Sequence, residues 1–480
     1  MRAAGASICL GRSATGAQAM LFVVVLAVIA SGGCRRSRFP TRGDAAAVVV
    51  IAPHRDAASA PTVAEQEPND KPEQAQLLAL NPDWPVLSVD GELTASGQGA
   101  GKDVDVFKLI VPGRKDAHVE AVDSAGAEDA RTIGRRLSLE VAAGAGGALA
   151  LQLLDEAAKT IEAVAVAPGE NAGMPNMAVL PGRTYFVRIK PAAKTSKAEI
   201  EAPGNSYKLS VQLSDFELAE EREPDDSQAS AQPVTMTGAA DFSGFIGWAH
   251  DQDFYRVPSS EVVSALDVEV EAVEGVALGL QVLDGSGSRI AVGRGRKGER
   301  LALRNVTVPA GQGDASPSSN FFYVVVRGES GQNRNQRYVL HLSMGSLRQD
   351  SEVEPNDNAA SATVIHDGTF AGYLPIGDVD YFRYAEGGSR ELSVEADCPA
   401  RVRCTLEVVR AKDGQALATA EAKKPKQAIA VARILTEGEP VLIRLGQGKG
   451  DGNANEPYVL KVSSEALAIP KTGTLNSPSP

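Results

Sequence analysis

Histidine is scarce in this chain. Its five copies, His54, His118, His250, His341 and His366, never recur at a spacing that lets imidazoles share a zinc ion. A histidine-built metalloenzyme is excluded on that count. Basic residues are also in short supply, 48 against 61 acidic ones for a net charge of -13, which argues against a phosphate-tracking nucleic-acid surface. No HExxH, G-x-S-x-G or GxxxxGK[ST] motif occurs. Gly293-Arg-Gly-Arg-Lys-Gly298 matches GxGxxG in form, but the residues that follow, ERLALRNVTV, alternate like a strand where a dinucleotide fingerprint needs a helix. The segment reads as a basic hairpin loop whose Arg294, Arg296, Lys297 and Arg300 are solvated, with an anionic partner as the alternative. Long apolar runs are confined to Leu21–Ala30, so with 43% apolar and 23% charged residues the chain is neither multispan nor disordered.

The 480 residues that remain to be explained suffice for about three domains of roughly 150 residues. The first 64 residues carry seven Arg and two Asp with no Lys or Glu, leaving -18 for everything after them. The ten residues of LFVVVLAVIA reach about 15 Å as a helix, half of a bilayer core, and so suit a signal h-region over residues 1–33. Ser31, Gly32 and Gly33 followed by Cys34 resemble a bacterial lipobox, with Ser31 where Leu is usual. The resemblance implies cleavage before Cys34, acylation of its sulfur and a membrane held through a lipid anchor. An ordinary signal peptide with Cys34 left as a free thiol is the alternative. Residues 34–64 read as a flexible tether. Its Arg42-Gly43-Asp44 triplet is read as chance rather than as an adhesion motif. Cys9 leaves with the signal, and Cys398 and Cys404 form an even pair expected to close a small disulfide loop in an oxidising envelope compartment.

Self-comparison finds one pattern three times. EQEPND (65–70), EREPDD (221–226) and EVEPND (352–357) are each followed by an Ala/Gln/Ser-rich stretch, a glycine-containing segment and an acidic pair, DVDVF, DQDFY or DVDYF. The second Glu precedes the first Asp of that pair by 36, 28 and 24 residues, differences that loops absorb cheaply. Each copy ends alike, in SYKLSVQL, RYVLHLSM or PYVLKVSS. Domains follow at 65–215, 221–346 and 352–465, with a loose tail over 466–480. Segments such as LSLEVAA, LDVEVEAV and TLEVVRAKDG alternate with period two and close on DG, GSG or PG turns. The same alternation puts Phe107 and Leu109, Tyr255 and Val257, and Phe382 and Tyr384 on one strand face, opposite Lys108, Arg256 and Arg383. The fold class is therefore all-β, three tandem jelly-roll-like β-sandwiches. A helical turn after each EPND is the sole helix expected beyond the signal.

The ordered set E-x-E-P-N-D, Gly segment, D-x-D and terminal Tyr-x-Leu strand resembles the bacterial pre-peptidase C-terminal (PPC) family, over residues 65–465. That family in turn resembles the collagen-binding modules of secreted bacterial collagenases. On an extended strand kept straight by Pro68, Glu65, Glu67 and Asn69 face one way, and Asp70, Asp103 and Asp105 can complete an oxygen cage. The parallel sets are Glu221, Glu223, Asp225, Asp226, Asp251 and Asp253, then Glu352, Glu354, Asn356, Asp357, Asp378 and Asp380. The family resemblance makes calcium, which takes six to eight oxygens, the candidate ion. Turn and N-cap chemistry accounts for the same residues without a metal. These readings imply a non-catalytic, lipid-anchored cell-envelope protein that binds protein or polysaccharide or scaffolds an assembly, and no nucleic acid. An accessory subunit of a separate secreted hydrolase is the alternative, and an enzyme using an unrecognised carboxylate pair is a third reading.

Overall fold

The computed structural model describes residues 61–80, 86–94, 103–113, 134–193, 205–312 and 320–467. The signal, the lipobox with Cys34, and nearly all of the tether lie outside the described residues, as does the tail from 468. No helix among the described residues is long and apolar enough to cross a membrane.

Three two-layer sandwiches follow one another. In the first, β1 (Thr62–Ala64), β3 (Val86–Glu92), β10 (Ser206–Asp215), β5 (Arg135–Ala143) and β8 (Asn171–Val179) form one sheet in that order. The facing sheet runs β2 (Gln76–Leu78), β4 (Asp105–Ile110), β9 (Thr184–Pro191), β6 (Leu149–Leu154) and β7 (Thr160–Val166). The second sandwich pairs β12 (Ala239–Ile246), β19 (Asn333–Gly345), β14 (Ser264–Val270) and β17 (Leu301–Val308) in one layer. Its other layer runs β11 (Gln232–Pro233), β13 (Gln252–Pro258), β18 (Phe321–Ser330), β15 (Ala277–Leu283) and β16 (Arg289–Lys297). The third repeats this with β21 (Gly368–Leu374), β28 (Asn453–Ala466), β23 (Arg390–Asp397) and β26 (Ala428–Leu435). Facing them are β20 (Thr363–Ile365), β22 (Asp380–Tyr384), β27 (Val441–Gln447), β24 (Cys404–Arg410) and β25 (Ala416–Glu421). Counted from each acidic segment, one sheet takes strands two, nine, four and seven, and the other takes one, three, eight, five and six. That order is jelly-roll connectivity, identical in all three copies.

Period two builds the cores. Leu137, Leu139 and Val141 of β5 face Leu149, Leu151 and Leu153 of β6 across the first sandwich, all at most 2% exposed. Phe107, Tyr255 and Phe382 lie fully buried at the expected positions, with Arg383 exposed on the opposite face. Cys398 and Cys404 are joined in a disulfide.

Several expectations are corrected at the level of elements. The tether ends earlier than 64, because Thr62–Ala64 pairs in parallel with Ser88–Asp90. The tail starts later than 466, since Ala466 pairs with Arg390 and Leu467 N–H bonds Ser389. After each acidic segment the chain makes a single turn closed by a backbone bond, Gln74 to Lys71, Ser230 to Ser227 and Ser361 to Asn358, without becoming helix. The basic hairpin loop is strand β16, paired with β15 from Arg289 to Lys297. Its cations are engaged rather than simply solvated. Arg296 donates to Gly450 O at 3.0 Å, Arg300 lies 3.3 Å from Glu269, and Arg294 lies 3.7 Å from Glu329.

Candidate metal centres

The second copy holds the densest cluster. Asp253, second in β13, lies on the same face as Tyr255 and Val257, so alternation that buries the aromatics also buries a carboxylate at the end of the core. The Glu221–Asp226 segment lies against it. One carboxylate oxygen each from Glu221, Glu223, Asp225 and Asp253 falls within 4.8 Å of the others, and all four residues are 0% exposed. Glu221 Oε2 accepts Phe245 N–H at 2.8 Å, Glu223 Oε2 accepts Asp225 N–H at 2.8 Å, and Asp251 Oδ2 accepts Gly247 N–H at 2.5 Å. Glu223 Oε1 and Asp251 Oδ1 are buried without a hydrogen bond, and at Asp253 the Tyr338 hydroxyl only partly offsets the effect of burial. Buried oxygens without donors are costly, and a cation is one way to satisfy several at once.

In the third copy Glu354, Asp378 and Asp380 make the cluster. Glu352 sits beside it, accepting Tyr373 N–H at 2.7 Å and the Tyr458 hydroxyl at 2.8 Å. Asn356 Oδ1 and Nδ2, Asp378 Oδ2 and both oxygens of Asp380 are buried there without partners. In the first copy the set is Glu65, Glu67 and Asp105. Tyr207 donates to Asp105 Oδ2 at 2.5 Å, Glu92 N–H to Glu65 Oε2 at 2.9 Å and Asn69 N–H to Glu67 Oε2 at 2.8 Å, leaving Asn69 Oδ1 and Asp105 Oδ1 unmet.

Not all six expected residues per copy converge. Asp103 instead accepts Thr94 N–H and Oγ1–H at 2.5 and 3.0 Å, while Asp70 and Asp226 tie the D-x-D loop through Val104 N–H and Gln252 N–H at 3.3 and 3.1 Å. Asp357 lies exposed beside Asp378. The straight run through each proline is also corrected, because Glu67–Pro68, Glu223–Pro224 and Glu354–Pro355 are cis peptides.

Burial dominates the electrostatics. It raises Asp105 to about 9, Asp251 and Glu354 to about 8, and Glu352 to about 7. Burial, reinforced by neighbouring carboxylates, holds Glu221, Glu223, Asp253, Asp378 and Asp380 well above the carboxylate range. Such groups either keep protons or gain a positive partner. With only oxygen donors and no imidazole or thiolate in the clusters, the fitting partner is a hard divalent cation.

Two recurrent residues complete each centre and were not singled out in the sequence. One is a tyrosine of the last strand, Tyr207, Tyr338 or Tyr458, buried over the carboxylates. The other is a glycine of the second strand. A Cβ on Gly91 would stand 2.3 Å from the Tyr207 hydroxyl, on Gly244 2.2 Å from Glu221 Oε2, and on Gly372 2.1 Å from the Tyr458 hydroxyl. The signal was present as a Gly in every copy of SVDGEL, FSGFIG and FAGYL and a Tyr in every closing strand. Neither announces that it meets the carboxylates across the sheet.

The acidic segments also join the sandwiches. Glu223 pairs in parallel with Met177 of β8, its N–H bonding Asn176 O at 3.2 Å and its C=O accepting Ala178 N–H at 2.7 Å. Glu354 repeats this on β17, bonding Asn305 O at 3.3 Å and Thr307 N–H at 2.7 Å. The two asparagines act in person: Asn176 Nδ2 donates to Glu221 Oε1 at 2.7 Å, and Asn305 Nδ2 to Glu352 O at 2.5 Å. Buried Glu220 receives Arg136 from the first sandwich at 2.6 Å and Arg337 from the second at 2.9 Å. Each joint is thus an edge strand of one sandwich closed by the acidic segment of the next.

The molecule belongs by architecture to the all-β class, as tandem jelly rolls with a carboxylate cluster apiece. No protein-family model matches the chain and no curated protein matches its sequence. Among solved structures it is similar to the PBSX exported protein XepA, at 12% identity over 56% of this chain and 89% of that one, with a TM-score of 0.18. It is also similar to the M60 catalytic domain with CBM51 domains of Clostridium perfringens ZmpB, at 8% identity over 79% of this chain and 36% of that one, TM-score 0.16. A triple jelly-roll turret protein of an archaeal virus aligns at 8% identity over 69% of this chain and 79% of that one, TM-score 0.17. Scores this low assign neither a function nor a relationship.

Proposed function

We propose that the chain is a non-catalytic, lipid-anchored cell-envelope protein whose three PPC-like sandwiches form a calcium-stabilised array that binds protein or polysaccharide or scaffolds an assembly. The observation that carries this reading is the threefold recurrence of an oxygen-only cluster with unmet acceptors where the acidic segment enters each sandwich, buried in the second and third copies and part-exposed in the first. Calcium suits it because the ion accepts irregular sets of carboxylate, amide and backbone oxygens. Carboxylates gathered beneath a tyrosine at the corresponding place in every copy suit a structural ion better than catalysis, which needs a substrate beside the acid. Tandem modules raise avidity when several engage one polymer or assembly.

Differential scanning calorimetry tests the cation. An ion held only by the native state must raise the melting temperature as its concentration passes its dissociation constant. The expected result is a higher melting temperature in calcium than in chelator, and identical curves in both would overturn the reading. Anchoring is tested separately. Cys34→Ser should release the chain from membranes, and undiminished membrane retention would remove the lipid from the account.

A further inference from the structure

Among the described residues, the two internal joints leave one half-joint without a partner at each end of the array. At the leading end, the Glu65–Asp70 segment has its own sandwich, and among the described residues no edge strand of another sandwich lies against it. Glu67 is therefore exposed where its counterparts Glu223 and Glu354 are 0% and 8% exposed. No hydrogen bond among the described residues engages its backbone N–H or C=O, the two groups that Glu223 and Glu354 use in the joints. A hollow of about 580 Å3, lined by Glu67, Pro68, Leu78 and Leu87 among others, opens beside it.

At the trailing end, β26 occupies the place of β8 and β17. It pairs with β23 on one side only and is an edge. Register fixes the correspondence. Leu137 opposes Met177, Leu266 opposes Val306 and Leu392 opposes Ile434, each beside a bulge, so Arg433 stands where Asn176 and Asn305 stand. Arg433 shares the left-handed backbone of Asn305, with φ of 58° against 53°. Arg433 is exposed, with only Glu391 3.8 Å from its guanidinium, and Leu435 is 53% exposed, whereas Asn176 is 1% exposed and Asn305 0%. In the β23–β26 register Leu435 N–H and Arg433 C=O hold the places of the joint-forming groups, beside Thr436 N–H, which bonds Arg390 O at 3.0 Å.

We propose that these halves meet between molecules: the Glu65–Asp70 segment of one copy closes on the β26 edge of a second copy, making a third joint of the same form. The occupant is argued from the chain itself, which makes this contact twice internally. Charge argues the same way. The residue facing the acidic segment is an asparagine within the chain and an arginine at its free end, where Glu65 and Glu67 of the incoming copy supply the opposite sign. Because the two surfaces differ, the contact is head to tail and extends into a string unless it closes into a ring. The contact is built from backbone pairing and charge, and Glu65 and Glu67 also belong to the first cluster, so association is to be measured both in chelator and in calcium. Arg433→Glu reports on the contact without touching a cluster residue.

Sedimentation velocity of the full chain over a concentration series tests this. Concentration-dependent oligomers are expected. Arg433→Glu and Glu67→Lys, each on an exposed side chain, should weaken association at least roughly tenfold, and combining them should restore it. Arg433→Asn, the residue of the internal joints, should retain association. As a direct check on register, a chain carrying Glu67→Cys mixed with one carrying Leu435→Cys should give an intermolecular disulfide dimer. A chain that stays monomeric throughout the series, or oligomers indifferent to both charge reversals, would overturn the proposal.

Discussion

Single residues decide whether each carboxylate cluster can exist. Gly244 admits Glu221 and Tyr338 to the same spot, and a Cβ there would meet both. Gly244→Ala should therefore destabilise the chain by about 1–3 kcal/mol, whereas Gly113→Ala, where nothing lies within 4 Å, should be nearly silent in urea denaturation. Asp225 gives the second copy a fourth carboxylate where the others carry Asn69 and Asn356. Asp225→Asn should lower calcium affinity at that centre about tenfold while the chain stays folded, as read by calorimetric titration. The pH dependence follows from the raised carboxylates. Their folded pKa values exceed the unfolded ones, so protonation contributes stability that is complete below about pH 4 and is lost as pH rises through the folded values. Those values are about 7 for Glu352, about 8 for Asp251 and Glu354, and about 9 for Asp105. In chelator the melting temperature should fall between about pH 5 and pH 9, and saturating calcium should flatten that fall. A chelated chain that grows more stable over this range would contradict the electrostatic account. At this scale the sequence told much about the acids and little about what surrounds them. The second Asp of each D-x-D was legible because period two ties it to the buried aromatics, while the glycine and tyrosine act on partners far away in the chain.

Strands and joints behave differently in this respect. Alternation located the strands because each buries one face, and a sequence of local periods suffices to see that. The same rule misplaced Gly293–Gly298, where small and basic residues disguise β16 as a loop, and it missed β1, three residues long. Joints were invisible, because Asn176 and Glu221, or Asn305 and Glu352, are brought together by the jelly-roll order and not by any local pattern. Asn305 anchors its joint through Glu352 O at 2.5 Å and through Arg348 O and N–H at 3.3 and 3.0 Å. Asn305→Ala should cost about 2–3 kcal/mol and expose the 346–351 connection to proteolysis. Asn305→Gly relieves the positive φ but not the lost side chain, so it should restore only part of that stability. Full recovery with glycine would show that backbone conformation, and not the joint, sets the cost.

Across the whole molecule, an acidic excess that first argued only against nucleic acid is partly concentrated at three clusters, of which the two buried ones also fasten one sandwich to the next. Cation binding and the coupling between sandwiches are consequently linked, since Glu221 and Glu223 touch both the cluster and β8. Filling the sites should make the chain melt as fewer, more cooperative units. The central claim is that the clusters are cation sites, and isothermal titration of the chelator-stripped chain with calcium tests it most directly. The account predicts saturable binding of up to three ions per chain, lost in the triple variant Asp105→Asn, Asp253→Asn, Asp380→Asn while that variant remains folded. No saturable heat from the unaltered chain, or equal binding by the triple variant, would contradict it.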